Sequence, residues 1–83
     1  MMRYLVVIEK AGKNYSAYVP DLPGCVSTGK TPAATRAAIR AAIDFHIEGM
    51  RADGLPIPKP SARSAEVAVS APAPTRKGGR KAA

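Results

Sequence analysis

Chemistry in this chain would have to come from very few side chains. His46 is the only histidine, Cys25 the only cysteine, and Asp21, Asp44 and Asp53 the only aspartates. A histidine can exchange a proton near neutral pH. His46, however, falls beside Ile43, Ile47 and Met50 on the apolar stripe of a predicted helix, which favours a half-buried structural role. A two-metal nuclease needs several convergent carboxylates. Asp44 and Asp53 stand nine residues apart on that same helix, a rise of about 13 Å, too far to share a metal. Cys25 follows Gly24 at the start of a predicted strand. With no histidine or second cysteine nearby in sequence to activate it, it reads as a small buried hydrophobe.

One motif matches formally. Residues 24–31, Gly-Cys-Val-Ser-Thr-Gly-Lys-Thr, fit the Gly-x-x-x-x-Gly-Lys-Thr pattern of a phosphate-binding loop. The four residues between the glycines are strand-like, Pro32 follows at once, and the chain offers no acidic strand for nucleotide hydrolysis. We therefore expect no enzyme, with no catalytic residue, metal site or cofactor.

The elements around these residues are organised by the stretch from Val19 to Pro32. Pro20 and Pro23 each remove a backbone donor and fix φ, so a regular ladder cannot run through 20–23. Asp21 suits a turn and Gly24 permits a positive φ. Before this corner, Arg3–Lys10 alternates: Tyr4, Val6 and Ile8 share one face, Leu5, Val7 and Glu9 the other. Ala11–Asn14 reads as a turn, and Tyr15–Val19 alternates again, so an antiparallel hairpin is expected. Cys25–Thr28 reads as a short third strand.

Thr31 then fits a helix N-cap and Pro32 the first helical position. Alanine-rich sequence carries the helix to about Asp53, with Ile39, Ile43, Ile47 and Met50 along one stripe. Gly54 fits the residue past the helix end, and Pro56 a stop. Pro56, Pro58 and Pro60 force an extended link. Glu66–Val69 alternates and is expected to add a last strand. The fold class is thus α+β in two layers. An antiparallel sheet of three to four strands is covered on one face by one long helix, in the order β-β-β-α-β.

At 83 residues there is room for one small domain, expected over 1–70. So short a chain buries about 60% of its unfolded surface, which makes oligomerisation a natural source of stability. A single helix covers a single sheet face. With Tyr4, Val6 and Ile8 turned to it, Leu5, Val7 and Tyr18 face outward and imply a partner. One cysteine and one histidine fit a reducing, cytoplasmic setting, and no apolar run approaches the roughly 20 residues of a membrane span. The net charge of +7 is uneven. Residues 1–61 hold eight Lys/Arg against five Asp/Glu, net +3, and residues 62–83 five against one, net +4. Residues 71–83 cannot bury a core and are expected to form a disordered basic tail. Within it, Arg76, Lys77, Arg80 and Lys81 are candidates for weak, non-specific phosphate contact.

An ordered set of segments resembles the HicB-type antitoxin domain of bacterial toxin–antitoxin pairs. It comprises Tyr4 with Val6, then Tyr18-Val19-Pro20-Asp21-Leu22-Pro23-Gly24-Cys25, Gly29-Lys30-Thr31-Pro32 and Leu55-Pro56-Ile57-Pro58-Lys59-Pro60-Ser61. The resemblance spans about residues 3–69. It departs from the pattern at Ala33 and Ala34, where acidic residues are usual, and at Arg36, in a place commonly apolar. It implies a truncated ribonuclease-H-like sheet and a partner, a small HicA-type ribonuclease toxin covered by the antitoxin. Many such antitoxins carry a C-terminal DNA-binding domain, which nothing after residue 70 is expected to form. The outward apolar face leads us to expect a second copy, as homodimer or homotetramer, and the resemblance adds a HicA-type toxin as a partner. Tyr18, Asp21 and Leu22 are the candidate toxin contacts, and Leu5 and Val7 the candidate oligomer contacts. The competing reading is an orphan oligomeric module touching nucleic acid through its basic tail.

Overall fold

The computed structural model describes residues 2–71. Three strands, β1 (Val7–Ala11), β2 (Asn14–Tyr18) and β3 (Val26–Gly29), precede one helix, α1 (Pro32–Ala52). The sheet is antiparallel throughout, in the order β1-β2-β3. The helix lies mainly over β3 and β2 and reaches β1 least.

The β1–β2 connection is a two-residue turn in which Gly12 has φ 63° and Lys13 keeps the negative φ of an ordinary residue. A leading glycine is one of the arrangements two-residue hairpins favour, because its twist matches that of the strands. This turn fixes the register, pairing Ala11 with Asn14 and Val7 with Tyr18. One residue further on, the chain leaves the ladder at the corner. Two successive turns close it: the Leu22 amide donates to the Val19 carbonyl at 3.0 Å and the Cys25 amide to the Leu22 carbonyl at 3.0 Å. In the second turn Pro23 precedes Gly24, whose φ of 85° is what a type II turn demands at that position. The Val19 amide then donates to the Cys25 carbonyl at 3.2 Å and seals the base.

The corner drops Leu22 into the centre of the domain, where it is 0% exposed. Around it pack Ala17, Val19, Cys25 and Ile39, flanked by Tyr4, Val6, Ile8, Ala42 and Ile43. Tyr4, Val6 and Ile8 thus face the helix as their alternation predicts.

Thr31 caps α1, its hydroxyl accepting from the Ala34 amide at 3.0 Å, with Pro32 at the first helical position. Thr35 in the first turn is fully buried, its hydroxyl donating to the Thr31 carbonyl at 2.7 Å. Gly29, at the end of β3, makes room for it: a Cβ there would stand 2.6 Å from Thr35 Oγ1. At the other end, Gly54 (φ 70°) donates to the Arg51 carbonyl and Leu55 to the Met50 carbonyl. Those paired bonds satisfy two otherwise orphaned helix carbonyls.

Two expectations change. The first strand is shorter than Arg3–Lys10, because Tyr18 is the last β2 residue in the ladder and residues 3–6 have no strand opposite them. The strand expected at Glu66–Val69 is not formed. Those residues are exposed and belong to no ladder; alternation alone makes no strand without a partner's hydrogen bonds. The sheet therefore has three strands among the described residues.

Candidate functional site

The sheet face turned away from α1 is organised in rows. Because β2 pairs with both neighbours, Val7, Tyr18 and Val26 lie side by side, and Glu9, Ser16 and Thr28 form the next outward row. The first row is apolar and the second polar. Tyr18 is 43% exposed and Val26 65% exposed, while Leu5 and Val7 are half-buried. The face thus presents an apolar band near the corner and a hydrophilic band toward the β1–β2 turn. Val26 was not singled out from the sequence, although its signal was present: with Cys25 buried just before β3, the extended chain turns the next residue outward.

Asp21 stands on the same corner and is occupied within the chain. Its carboxylate accepts from the Ser61 amide at 2.8 Å, the Ser61 hydroxyl at 2.8 Å and the Ala62 amide at 3.0 Å. The Ala62 amide, then the Ser61 amide and hydroxyl, hold its pKa below the usual carboxylate value, against a smaller opposing effect of desolvation. Nearby, the Tyr4 hydroxyl donates to the Pro58 carbonyl. The extended link after the helix is therefore strapped to the corner from which the outward face begins. Leu22, expected beside Asp21 as a contact, lies beneath this corner with no exposed surface. It supports the corner from inside and presents nothing to a partner. Of the three expected contact residues, Tyr18 alone is openly exposed.

The residues considered for chemistry are scattered. His46 is half-buried on α1 and Asp44 and Asp53 are exposed. Cys25 is buried, and burial pushes its thiol pKa up, which keeps it protonated and a poor nucleophile. The Gly-Lys-Thr match is strand and cap: Val26–Gly29 pair with β2, and the Thr31 hydroxyl is spent on the helix. Among the described residues, no three His, Cys, Asp or Glu side chains gather as a metal site would require. No described helix is long and apolar enough to cross a membrane. Arg76, Lys77, Arg80 and Lys81 lie outside the described residues.

The family described as HicB_like antitoxin of bacterial toxin-antitoxin system matches residues 4–73. The chain belongs to this family. Among its relatives, an uncharacterised 14.9 kDa protein of Haemophilus phage HP1 is 45% identical over 58 residues, covering 70% of this chain and 44% of the phage protein. The HicB-like chain thus spans less than half of that relative. A UPF0150 protein of Helicobacter pylori is 43% identical over 49 residues, 59% of this chain and 68% of its own. A UPF0150 protein of Thermoplasma acidophilum is 36% identical over 67 residues, 80% of this chain and 97% of its own. A solved chain from a HicA3 and HicB3 toxin–antitoxin complex aligns with a TM-score of 0.63 and 32% identity, over 72% of this chain and 70% of that one.

Proposed function

We propose that this chain is a binding module that neutralises a small HicA-type ribonuclease toxin by covering it, and performs no chemistry itself. One observation carries the reading: the likeness, in fold and at 32% identity, to a chain solved in a HicA3 and HicB3 toxin–antitoxin complex. The outward face gives it a physical basis. Val7, expected above as an oligomer contact, joins Tyr18 and Val26 in an apolar row on a paired sheet, and exposed apolar patches on a rigid frame are where partners dock at small entropic cost. Tyr18 combines a large ring with a polar tip, a combination frequent at interface hot spots. The strap from Asp21 to Ser61 holds the edge of this surface.

The reading is tested by co-expressing the chain with the product of its neighbouring gene. A stable complex, with RNA cleavage by the neighbour suppressed on adding this chain, is the expected result. RNA cleavage by this chain alone overturns it.

A further inference from the structure

Across the outward sheet face three rows follow one another: Val7, Tyr18 and Val26, then Glu9, Ser16 and Thr28, then Ala11 and Asn14 beside the turn. Among the described residues, Glu9 is the one charged side chain in these rows, and it is exposed. Its sign runs against the rest of the chain, for residues 2–71 hold nine Lys/Arg against six Asp/Glu. The next residue, Lys10, belongs to the other sheet face by the two-residue period of a strand. There its ammonium lies over the Tyr15 ring, 5.7 Å from the centroid. Lys13 in the turn and Lys30 after β3 stand at the turn end of the sheet, outside the ladder. Within its own row Glu9 is aligned with Ser16 and Thr28, side chains without charge.

The other carboxylates are placed elsewhere. Asp21 is held by Ser61 and Ala62. Asp44 and Glu48 lie on α1 and Asp53 caps it, in the layer behind the sheet, while Glu66 lies on the link. A lone exposed carboxylate between polar neighbours adds little to stability. Its effect is on what approaches the face.

An enzyme that cleaves RNA has to hold a polyanion, and does so with arginine and lysine at the phosphates. A protein that covers such a surface must offer those cations an anion in place of phosphate; otherwise they are buried unpaired, at high cost. We propose, resting on the toxin-covering reading above, that Glu9 takes the place of an RNA phosphate, its carboxylate pairing with an arginine or lysine of the toxin's RNA-contacting surface. Glu9 lies two residues beyond Val7 in β1, about 7 Å along the strand. One docked surface therefore spans the carboxylate and the apolar row together. The row of Val7, Tyr18 and Val26 supplies the apolar burial that keeps the complex, and Glu9 the steering that orients it and speeds encounter. Its place in the polar row leaves the carboxylate hydrated until a cation reaches it.

The test is the association rate of the full chain with the neighbouring gene's product, measured by surface plasmon resonance from low to high salt, beside the RNA-cleavage assay. Glu9→Gln keeps the shape and removes the charge. It is expected to lower the association rate at low salt by about fivefold and to flatten its salt dependence, with a matching loss in suppression of cleavage. Glu9→Asp is expected to keep most of the wild-type rate. Glu48→Gln, the same change on the exposed surface of α1, is expected to leave both readings unchanged. All three variants should unfold at the wild-type urea midpoint. A wild-type rate and salt dependence in Glu9→Gln overturn the proposal and leave the toxin-covering reading standing. An equal loss in Glu48→Gln also overturns it, since net charge rather than position would then be responsible. So does self-association that Glu9→Gln alters with suppression unchanged, because the face would then belong to a second copy. A wild type that neither binds the neighbour nor suppresses cleavage overturns both.

Discussion

Asp21 holds Ser61 from forty residues away, its two carboxylate oxygens each accepting at 2.8 Å, one from the amide and one from the hydroxyl. The bond joins the corner between β2 and β3 to the link that follows the helix. It explains how a proline-rich stretch with no ladder of its own keeps a fixed path. Proline supplies the stiffness by fixing φ, and a carboxylate accepting backbone donors, as at a helix N-cap, supplies the anchor.

Replacing Asp21 with alanine is therefore expected to free the link while leaving the domain folded. The Ser61 and Ala62 amides should exchange as in an unfolded chain, and the β2 amides should keep their protection. Native-state hydrogen exchange reads both at once. Ser61 and Ala62 amides that stay protected in Asp21→Ala would place the anchor elsewhere.

Acid should do reversibly what that substitution does permanently. The bound state of Asp21 has a pKa below its ordinary value, about 3.9 in an unfolded chain. The released state therefore takes up the proton first, and the anchor's contribution is complete above that ordinary value. It is lost as pH falls through the lower, bound-state pKa. NMR titration of the Ser61 amide shift should show a midpoint below the ordinary carboxylate value. A midpoint at or above it would contradict the assignment.

The contact between Gly29 and Thr35 makes a sharper demand on sequence. A Cβ at 29 would meet Thr35 Oγ1 at 2.6 Å and the Thr35 amide nitrogen at 2.7 Å. Thr35 cannot retreat, because it is fully buried and its hydroxyl is bonded to the Thr31 carbonyl. Gly29→Ala is expected to destabilise the domain by about 1–3 kcal/mol, the usual cost of overpacking. Urea unfolding measures it as a lowered midpoint at unchanged slope.

What the sequence made legible was local. Thr31, Pro32 and Gly54 mark the helix ends through backbone rules that hold wherever the residues occur, and the structure places all three as those rules require. Alternation likewise placed Tyr4, Val6 and Ile8 against the helix. What it could not place was pairing. Residues 3–6 and 66–69 have strand periodicity, but a ladder depends on what lies alongside, which period alone does not encode. The same limit applies to the corner. Leu22 and Asp21 are neighbours in a turn-forming stretch, yet one is buried and the other is tied to Ser61. Only the path of the whole chain separates them. The buried Thr35 was missed because a threonine in an alanine-rich first turn looks solvent-facing until the glycine opposite it is known.

The outward row of Val7, Tyr18 and Val26 is the surface we propose for covering a toxin. The most direct measurement is an RNA-cleavage assay with the neighbouring gene's product, titrated with the wild type and with Val26→Asp. Val26 is well exposed, so the substitution should not disturb folding, while a charge set in an apolar contact should be costly. The expected result is full suppression by the wild type and at least a tenfold higher requirement for Val26→Asp, at equal unfolding midpoints. Equal suppression by the two proteins would contradict the central claim.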